Sequence, residues 1–301
     1  MRLITKRKQM RTVYKHSFDP SEKIVEAFLS KMSKNKDTAD LDDDGNPTPY
    51  AYKQSSGYTL PPEVRKKYKV KDTPISDMCL LEGKKPGRSI FYIHGGGYWD
   101  QPLPFHFLFL RKLVDRVGGR IYLPVYPKSP TYGIKDAHAY INEAYEAVKG
   151  EEVVLMGDSA GGGFALSFAL SLRQRGEEVP PLILLSPWLD LSCEKKDDEK
   201  DTDPWLDRKG LARMGEIFAG DIGVHSPLAS PYFGDISGIE KLTIFTGGND
   251  ILCQDSLLLE EKYPHVELHY FEGAFHDFTI FPVGVAASKS FRLVCEKINS
   301  I

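Results

Sequence analysis

The sequence predicts an α/β protein built on a mostly parallel sheet with helices on both of its faces. Short, continuously apolar runs alternate with longer segments of helical periodicity from about residue 74 to the end of the chain. Strands that are buried on both faces are apolar along their whole length, and parallel pairs need helical crossovers, so this alternation is typical of a parallel sheet. The 301 residues, 41% of them hydrophobic, are enough to bury the core of one large domain.

Each predicted element is a contiguous run, and strands and helices follow one another along the chain. The predicted strands are SIFYIHGGG, RIYLPVYP, EVVLMGDS, PLILLSPW, LTIFTGGND and VELHYFEG. The predicted helices between and after them are FHFLFLRKLVDRVG, KDAHAYINEAYEAVKG, AGGGFALSFALSLRQRG, DSLLLEEKY and VAASKSFRLVCEKI. Sheets of this kind bind ligands beyond the carboxyl ends of their strands, so functional side chains are expected where these runs end.

The N-terminal part of the chain has a different character. Residues 1–16 are basic and lack the apolar core and cleavage site of a secretory leader, so they are expected to form a solvated tail rather than a lipid-binding surface. A helix is predicted next, with Asp19 as its N-cap, Pro20 in the first turn and Glu22 three residues after the cap. Its apolar face would contain Ile24, Val25, Phe28, Leu29 and Met32.

An acidic stretch resembles the start of a calcium-binding loop. Asp40, Asp42 and Asp44 alternate before a glycine, as in the first half of such a loop. The pattern then fails, because Ala51 stands where a bidentate glutamate belongs and Pro47 replaces the usual apolar residue. The stretch is therefore predicted to form a turn without calcium.

Composition narrows the class of function. With a net charge of −3, no field of one sign indicates nucleic acid as the main partner. No run approaches the ~18 apolar residues that a spanning helix needs, so no integral membrane segment is predicted and the protein is expected in the cytoplasm. Scattered cysteines without a CxxC pair predict reduced, buried thiols and neither a disulfide framework nor a zinc site; they are Cys79, Cys193, Cys253 and Cys295.

A serine lies at a sharp corner of the predicted fold. The stretch GDSAG matches G-x-S-x-G between an apolar strand and a helical run, which is the context that this motif requires. Gly157 and Gly161 remove side chains where the strand turns into the helix. The turn would project Ser159 Oγ above the sheet edge, beside the unpaired N–H groups of the helix N-terminus. Ser159 is therefore the predicted nucleophile.

A glycine run predicts the oxyanion hole that such a serine needs. HGGG ends an earlier strand and leaves backbone N–H groups free to point at developing negative charge. The hole is assigned to the N–H groups of Gly96, Gly97 and Ala160. His94 is expected to hold the loop rather than to act as the base, because it precedes the serine and sits at a strand end.

The acid and the base are expected after the serine, in that order. Asp250 follows the strand in TIFTGGND, and His276 follows the next strand in the loop of GAFHDF. Other residues are weaker candidates for these roles. Asp255 is expected to cap a helix, His269 lies within a strand and His265 lies in a turn. Asp277 is next to His276 in sequence, so it cannot easily reach the ring nitrogen that the acid must orient. Asp250 and His276 are therefore the predicted acid and base.

Five motifs together resemble those of the hormone-sensitive-lipase-like family of α/β-hydrolase esterases, from about residue 75 to the C-terminus. They occur in the family's order: HGGGYW, GDSAGGG, SPWLDLS, GGNDIL and GAFHDF. The resemblance implies the α/β-hydrolase fold, with a mostly parallel eight-stranded sheet, helices on both faces and a helical cap. It also implies Ser159, Asp250 and His276 as the catalytic triad. One departure is Ile251, where the family often has a proline directly after the acid.

The resemblance further implies a division of the chain. Residues 1–73 would form an N-terminal arm and cap segment, and residues 74–301 the catalytic domain, with residues 193–235 as a second cap segment. This excursion is charged, which is typical of a solvated surface. Its larger apolar side chains are expected to pack within the cap rather than to contact substrate; they are Trp205, Leu211, Met214 and Phe218.

The predicted function is a serine carboxylesterase that hydrolyses short-chain acyl esters through an acyl-enzyme intermediate. A small-molecule ester is the expected partner, no metal or organic cofactor is needed, and homo-oligomerisation is left open. Tyr98 and Trp99 follow the oxyanion hole and are expected to wall the substrate site, with packing in the core as the alternative. Since the base must be neutral, activity is expected to rise through about pH 6 to 7.

Two other classes of function stay open. A peptidase or amidase uses the same nucleophile on the same fold. A non-catalytic ligand-binding receptor is the other alternative, since the plant gibberellin receptor resembles this fold. A receptor is expected to have a damaged triad, whereas all three positions are filled here.

Overall fold

The chain folds around one twisted sheet, as seen in a computed structural model that describes residues 10–15, 20, 21, 23–27, 30, 40–194, 203–281 and 283–301. The strands of these residues are β1 (Met10–Tyr14), β2 (Lys71–Asp72), β3 (Met78–Glu82), β4 (Ser89–Ile93), β5 (Arg120–Pro124), β6 (Val153–Asp158), β7 (Leu182–Leu185), β8 (Leu242–Asn249) and β9 (Glu267–Phe275). The helices are α1 (Pro49–Ser55), α2 (Pro62–Tyr68), α3 (Pro104–Val117), α4 (Ile134–Glu146), α5 (Ser159–Gln174), α6 (Arg208–Ala219), α7 (Cys253–Lys262) and α8 (Val285–Ser300).

The sheet is mostly parallel, as predicted. Within the described residues its strand order is β1-β9-β8-β7-β6-β4-β5-β3-β2. In this spatial order the first six neighbouring pairs, from β1–β9 to β4–β5, are parallel, and the last two, β5–β3 and β3–β2, are antiparallel. The resemblance implies eight strands, whereas the described residues form nine. Parallel neighbours bring the carboxyl ends of β4, β6, β8 and β9 to one edge of the sheet, where the predicted site residues follow them.

The strand β1 corrects the prediction of a solvated basic tail. It pairs in parallel with β9, with Met10 opposite Glu267. Arg11 explains part of this pairing, because its guanidinium lies 2.6 Å from the buried Glu260 carboxylate on α7. The Tyr14 ring adds a stack on Phe271, with 4.4 Å between ring centroids. Residues 1–9 of the predicted tail lie outside the described residues.

Helices cover both faces of the sheet, which confirms the predicted layering. Successive residues of one strand point to opposite sides, so Phe91 and Leu155 belong to one apolar cluster and Ile90 and Val154 to the other. Helices α4 and α5 pack into the first cluster, and helices α3 and α8 into the second. The central strands are therefore buried from both sides, and their ends are held rigidly.

The other local predictions have mixed outcomes. The acidic stretch is a turn, as predicted, in which Asp42 Oδ1 accepts hydrogen bonds from the N–H groups of Asp44 and Asn46. Asp255 does not cap its helix, because α7 begins two residues earlier and places Asp255 in the first turn. The four cysteines are free and buried, as predicted. The helix predicted after Asp19 falls only partly within the described residues, of which 20, 21, 23–27 and 30 are helical.

No helix in the described ranges has both the length and the apolar character needed to cross a bilayer.

Candidate active site

The site lies at the edge of the sheet where the parallel strands β4, β6, β8 and β9 end, with β7 between β6 and β8. Ser159 directly follows β6, and the glycine loop follows β4. Asp250 follows β8 and His276 follows β9. Side chains that are far apart in the sequence therefore meet because their strands run in the same direction and end at the same edge of the sheet.

The serine sits on a strained strand-to-helix turn. Its φ is +49°, in the left-handed region that side chains other than glycine rarely adopt. Two glycines allow the tight crossing. A Cβ on Gly157 would lie 2.4 Å from the carbonyl oxygen of Gly161, and a Cβ on Gly161 would lie 2.0 Å from that of Ile93. The predicted need for small residues at this corner is therefore confirmed.

A hydrogen-bonded row joins the predicted nucleophile, base and acid. Ser159 Oγ lies 2.9 Å from His276 Nε2, and His276 Nδ1 lies 2.9 Å from Asp250 Oδ2. Asp250 Oδ1 also accepts a hydrogen bond from the Leu252 N–H at 2.8 Å. A carboxylate can only accept, so Nδ1 carries a hydrogen, and in the neutral ring the Nε2 lone pair faces the serine hydroxyl. The arrangement can move a proton from Ser159 to His276.

The charge of the base is set by two carboxylates. Burial lowers the pKa of His276, but the charges of Asp250 and Asp277 outweigh burial and raise this pKa well above its ordinary value. Asp277 does not reach the nitrogen that the acid orients, as predicted, but it lies beside the other ring nitrogen. Its Oδ2 lies 3.3 Å from Nε2, whereas the Asp250 carboxylate holds Nδ1.

The glycine loop presents free backbone donors beside the serine. Gly96 and Gly97 have φ values of +107° and +64°, and both line the cavity that contains Ser159. Ala160 is the second residue of α5, so its N–H lies before the first helical hydrogen bond. Within the described part of the chain, no backbone carbonyl accepts from the N–H groups of Gly96, Gly97 or Ala160. These donors are available to an oxyanion.

A buried aspartate that the sequence analysis missed joins this loop to the serine turn. Asp158 Oδ1 accepts hydrogen bonds from the Tyr92 hydroxyl at 2.7 Å and from the Gly95 N–H at 3.0 Å. Its Oδ2 lies 3.1 Å from His106 Nε2. The Leu103 N–H donates to His106 Nδ1, so the hydrogen that faces Asp158 is on Nε2. The sequence does contain a signal for this residue, because Asp158 is a charged residue at the end of an otherwise apolar predicted strand.

His94 has the structural position predicted for it. Its ring is fully buried, stacks on Tyr126 with centroids 4.9 Å apart, and makes a hydrogen bond through Nδ1 to the carbonyl oxygen of Gly95 at 2.7 Å. The Tyr126 hydroxyl donates to the His94 carbonyl oxygen at 3.0 Å. These contacts fix the start of the glycine loop.

A cavity of about 110 Å³ opens above the row. Its apolar wall comes from Leu41 in the N-terminal segment and from residues in and before α6, among them Trp205, Leu211 and Met214. These last three pack in or against the apolar clusters, as expected, and they also line the cavity. Phe218 is fully buried, as expected.

Tyr98 and Trp99 are not walls of the cavity, which corrects another prediction. They are only 1% and 3% exposed, and neither lies among the residues that line the cavity. Tyr98 has a φ of +66°, and its ring stacks on Phe218 with 3.9 Å between centroids. The backbone turn directs the ring into the core, so the alternative of core packing holds.

Asp203 is a further residue that the sequence analysis missed. Its Oδ2 accepts from the Ile251 N–H at 3.1 Å, and its Oδ1 accepts from the N–H groups of Trp205 and Leu206. Burial and the nearby Asp250 charge raise the pKa of Asp203 to about 6. This carboxyl group joins the cavity-lining segment before α6 to the loop that carries Asp250.

Comparison with known proteins places this arrangement in a family. Residues 90–280 match the α/β-hydrolase fold family, and the chain belongs to that family. An acetyl-hydrolase of Streptomyces hygroscopicus is 33% identical over 195 residues, which are 61% of this chain and 65% of that protein. An esterase of Acinetobacter venetianus is 30% identical over 205 residues, 64% of this chain and 68% of that protein. The chain thus matches about two thirds of the length of these relatives.

The solved structures agree on the fold. A crystal structure of a hormone-sensitive lipase from a metagenome library superimposes with a TM-score of 0.75 at 22% identity, covering 94% of this chain and 99% of that chain. At this identity the likeness concerns the fold, which matches the predicted α/β-hydrolase architecture.

Proposed function

We propose that this protein is a serine carboxylesterase that hydrolyses short-chain acyl esters. The observation that carries the proposal is the row of 2.9 Å contacts from Ser159 Oγ through His276 to Asp250, facing a cavity beside free backbone donors. Ser159 is the nucleophile, His276 the general base and Asp250 the residue that orients the imidazole.

The reaction proceeds in two steps. Nε2 of His276 takes the Ser159 proton as Oγ attacks the ester carbonyl, and Asp250 holds Nδ1–H and stabilises the imidazolium. The carbonyl oxygen becomes an oxyanion that accepts from the N–H groups of Gly96, Gly97 and Ala160, each donor contributing about 3 kcal/mol. The C–O bond to the leaving group then breaks, and the imidazolium protonates the departing alkoxide to give the alcohol and the acyl-enzyme. Water cleaves the acyl-enzyme by the same sequence of transfers and regenerates the Ser159 hydroxyl.

The preference for a short acyl chain rests on the size and closure of the cavity. About 110 Å³ is room for a few small groups, and Leu211 and Met214 of α6 close it on one side. In this proposal the cap consists of the cavity-lining parts of the segments 1–73 and 193–235, which contribute Leu41 and α6. Arg213 of α6 supports this pairing, since its Nε donates to the carbonyl oxygen of Gly45 at 2.8 Å. The Streptomyces relative is an acetyl-hydrolase, which is in keeping with a short acyl group.

The test combines active-site labelling with a chain-length series. A fluorophosphonate is expected to label one peptide, which contains Ser159, and Ser159→Ala is expected to abolish both labelling and turnover. Ser237→Ala, a change at an exposed serine, is the matched control and should retain both. Turnover of p-nitrophenyl esters should be fastest for acyl groups of about two to six carbons. Efficient hydrolysis of only long-chain esters would contradict the proposed substrate class.

Matched p-nitroanilides separate this proposal from a peptidase or amidase. An amine is the poorer leaving group, so an esterase should turn over the ester far faster than the amide with the same acyl group. Ligand binding without labelling or turnover would instead favour a receptor.

A further inference from the structure

His276 has two carboxylate neighbours, and the proposed mechanism uses only one of them. Asp250 Oδ2 lies 2.9 Å from Nδ1, whereas Asp277 Oδ2 lies 3.3 Å from Nε2. Nε2 also faces Ser159 Oγ, so it is the atom that receives the proton in the proposed reaction. The second carboxylate therefore adjoins the place where positive charge develops.

The surrounding structure holds Asp277 in this position at a cost. Its φ is +57°, and its N–H donates to Ser186 Oγ at 3.1 Å. The side chain is 2% exposed and lines the cavity, and its Oδ1 has no hydrogen-bond partner among the described residues. A buried carboxyl group with an unused oxygen destabilises a fold. Packing and hydrogen bonding therefore do not account for an acid here.

We propose that Asp277 is a positioning residue of the proposed esterase, whose carboxylate stabilises the protonated ring of His276 while the Ser159 proton resides on Nε2. The proton moves from Ser159 Oγ to Nε2 and then to the leaving alkoxide, and Asp277 neither forms nor breaks a covalent bond. The attraction between the ring and a carboxylate at 3.3 Å is strong because water is largely excluded from the site. The inference rests on the proposed function.

Several other titratable groups act on this pair from neighbouring elements. They are Tyr92 on β4, His106 on α3, Asp158 at the end of β6, Asp250 after β8 and Asp203 before α6. Burial, together with Asp158 and Asp250, raises the pKa of Asp277 to about 7, and His276 opposes this rise. Both His276 and Asp277 thus have raised pKa values. The rise of activity with pH is therefore expected above the pH 6 to 7 range of an unperturbed histidine.

The experiment compares pH profiles of kcat/KM for p-nitrophenyl acetate in wild type and Asp277→Asn. Asparagine has the same shape and tolerates a positive φ. Removing the Asp277 charge should lower the His276 pKa and so shift the acid limb of the kcat/KM profile to lower pH by about 1 pH unit or more. The variant should then be more active than wild type at acid pH and several-fold less active on the plateau, because its base is weaker. The two profiles should cross.

Asp207→Asn is the matched control. Asp207 also lines the cavity but is exposed, and the asparagine oxygen can still accept the hydrogen bond from the Gly210 N–H. Its acid limb should coincide with that of wild type. Profiles of Asp277→Asn that differ from wild type by a constant factor would show a merely structural effect and overturn the proposal.

A second variant, Asp277→Gly, tests the pairing if Asp277→Asn does not fold, because glycine adopts a positive φ without strain. NMR titration of the His276 ring should give a lower pKa in this variant than in wild type, since the Asp277 charge raises the wild-type value. Equal His276 pKa values in the two proteins would overturn the proposal. A wild-type protein that turns over no ester at any pH would contradict the proposed function, and the comparison of the two titrations would still decide whether Asp277 stabilises the protonated ring.

Discussion

Asp158 Oδ1 accepts a hydrogen bond from the Gly95 N–H at 3.0 Å, so one buried carboxylate ties the glycine loop to the serine turn. The two segments pack without intervening space, because a Cβ on Gly95 would lie 2.3 Å from Asp158 Oδ2. The nucleophile and two of the proposed oxyanion donors therefore move as one unit. Preorganised donors of this kind need no rearrangement during the reaction.

Asp158→Asn is expected to lower kcat by roughly 10- to 100-fold, since small displacements at a reacting centre cost about this much. The asparagine oxygen can accept from Gly95 and Tyr92, but its amide then faces the Nε2–H of His106, and two donors oppose each other. Steady-state kinetics with p-nitrophenyl acetate measures the loss. Tyr92→Phe removes one hydrogen bond and keeps the carboxylate, so it should cost less. A kcat equal to that of wild type in Asp158→Asn would contradict this account.

Gly161→Ala is expected to destabilise the fold by more than about 3 kcal/mol, the upper end of what overpacking costs. The new Cβ would lie 2.0 Å from the Ile93 carbonyl oxygen, a backbone atom of a central strand that cannot move aside. Urea unfolding followed by circular dichroism measures the free energy of unfolding. Gly150→Ala is the control, since nothing lies within 4 Å of its Cβ position, and it should stay within about 0.5 kcal/mol of wild type. Equal stabilities of the two variants would refute the steric argument.

The parts of the site that could be predicted from sequence are those fixed by local patterns. Ser159 lies in a motif whose strand, glycines and helix are contiguous, so its conformation follows from neighbours in the chain. Asp250 and His276 each follow an apolar run, and strand order along the chain is enough to bring such ends to one edge. The mostly parallel sheet follows from the same alternation of apolar runs and helices.

The parts that could not be predicted depend on contacts between distant segments. Asp158 differs from a surface acid through its partners, which lie 66, 63 and 52 residues away in sequence. Tyr98 is turned into the core by its backbone conformation and by the Phe218 ring. The strand β1 could not be recognised in its basic stretch, because the charge of Arg11 is balanced by a buried glutamate on α7 that is distant in sequence. None of these features leaves a periodic pattern in the sequence.

The four cysteines are expected to be unreactive in the folded protein. Burial raises the pKa of Cys79 to about 11 and that of Cys295 to about 11. At pH 8 a thiol with such a pKa is about 0.1% thiolate, the form that attacks disulfide reagents. Titration with Ellman's reagent should therefore detect almost no thiol in the native protein and four in denaturant. Rapid reaction of a native thiol, or loss of ester hydrolysis on alkylation, would contradict this expectation.

Met214→Ala is expected to extend the range of acyl chains that the cavity accepts. Met214 lines the cavity and lies over the glycine loop, since a Cβ on Gly97 would lie 2.9 Å from its terminal methyl carbon. Shortening this side chain lengthens the space beside the proposed oxyanion donors. The ratio of kcat/KM for p-nitrophenyl octanoate to that for the acetate should rise by about tenfold, the effect of one or two methylene contacts.

Met78→Ala is the matched control for this prediction. Met78 is buried but does not line the cavity, so its removal lowers stability without changing the space available to substrate. Both variants should therefore be assayed well below their unfolding temperatures. The octanoate-to-acetate ratio should stay within about twofold of wild type in Met78→Ala. A ratio that is unchanged in Met214→Ala, or that rises equally in both variants, would show that α6 does not limit the acyl chain.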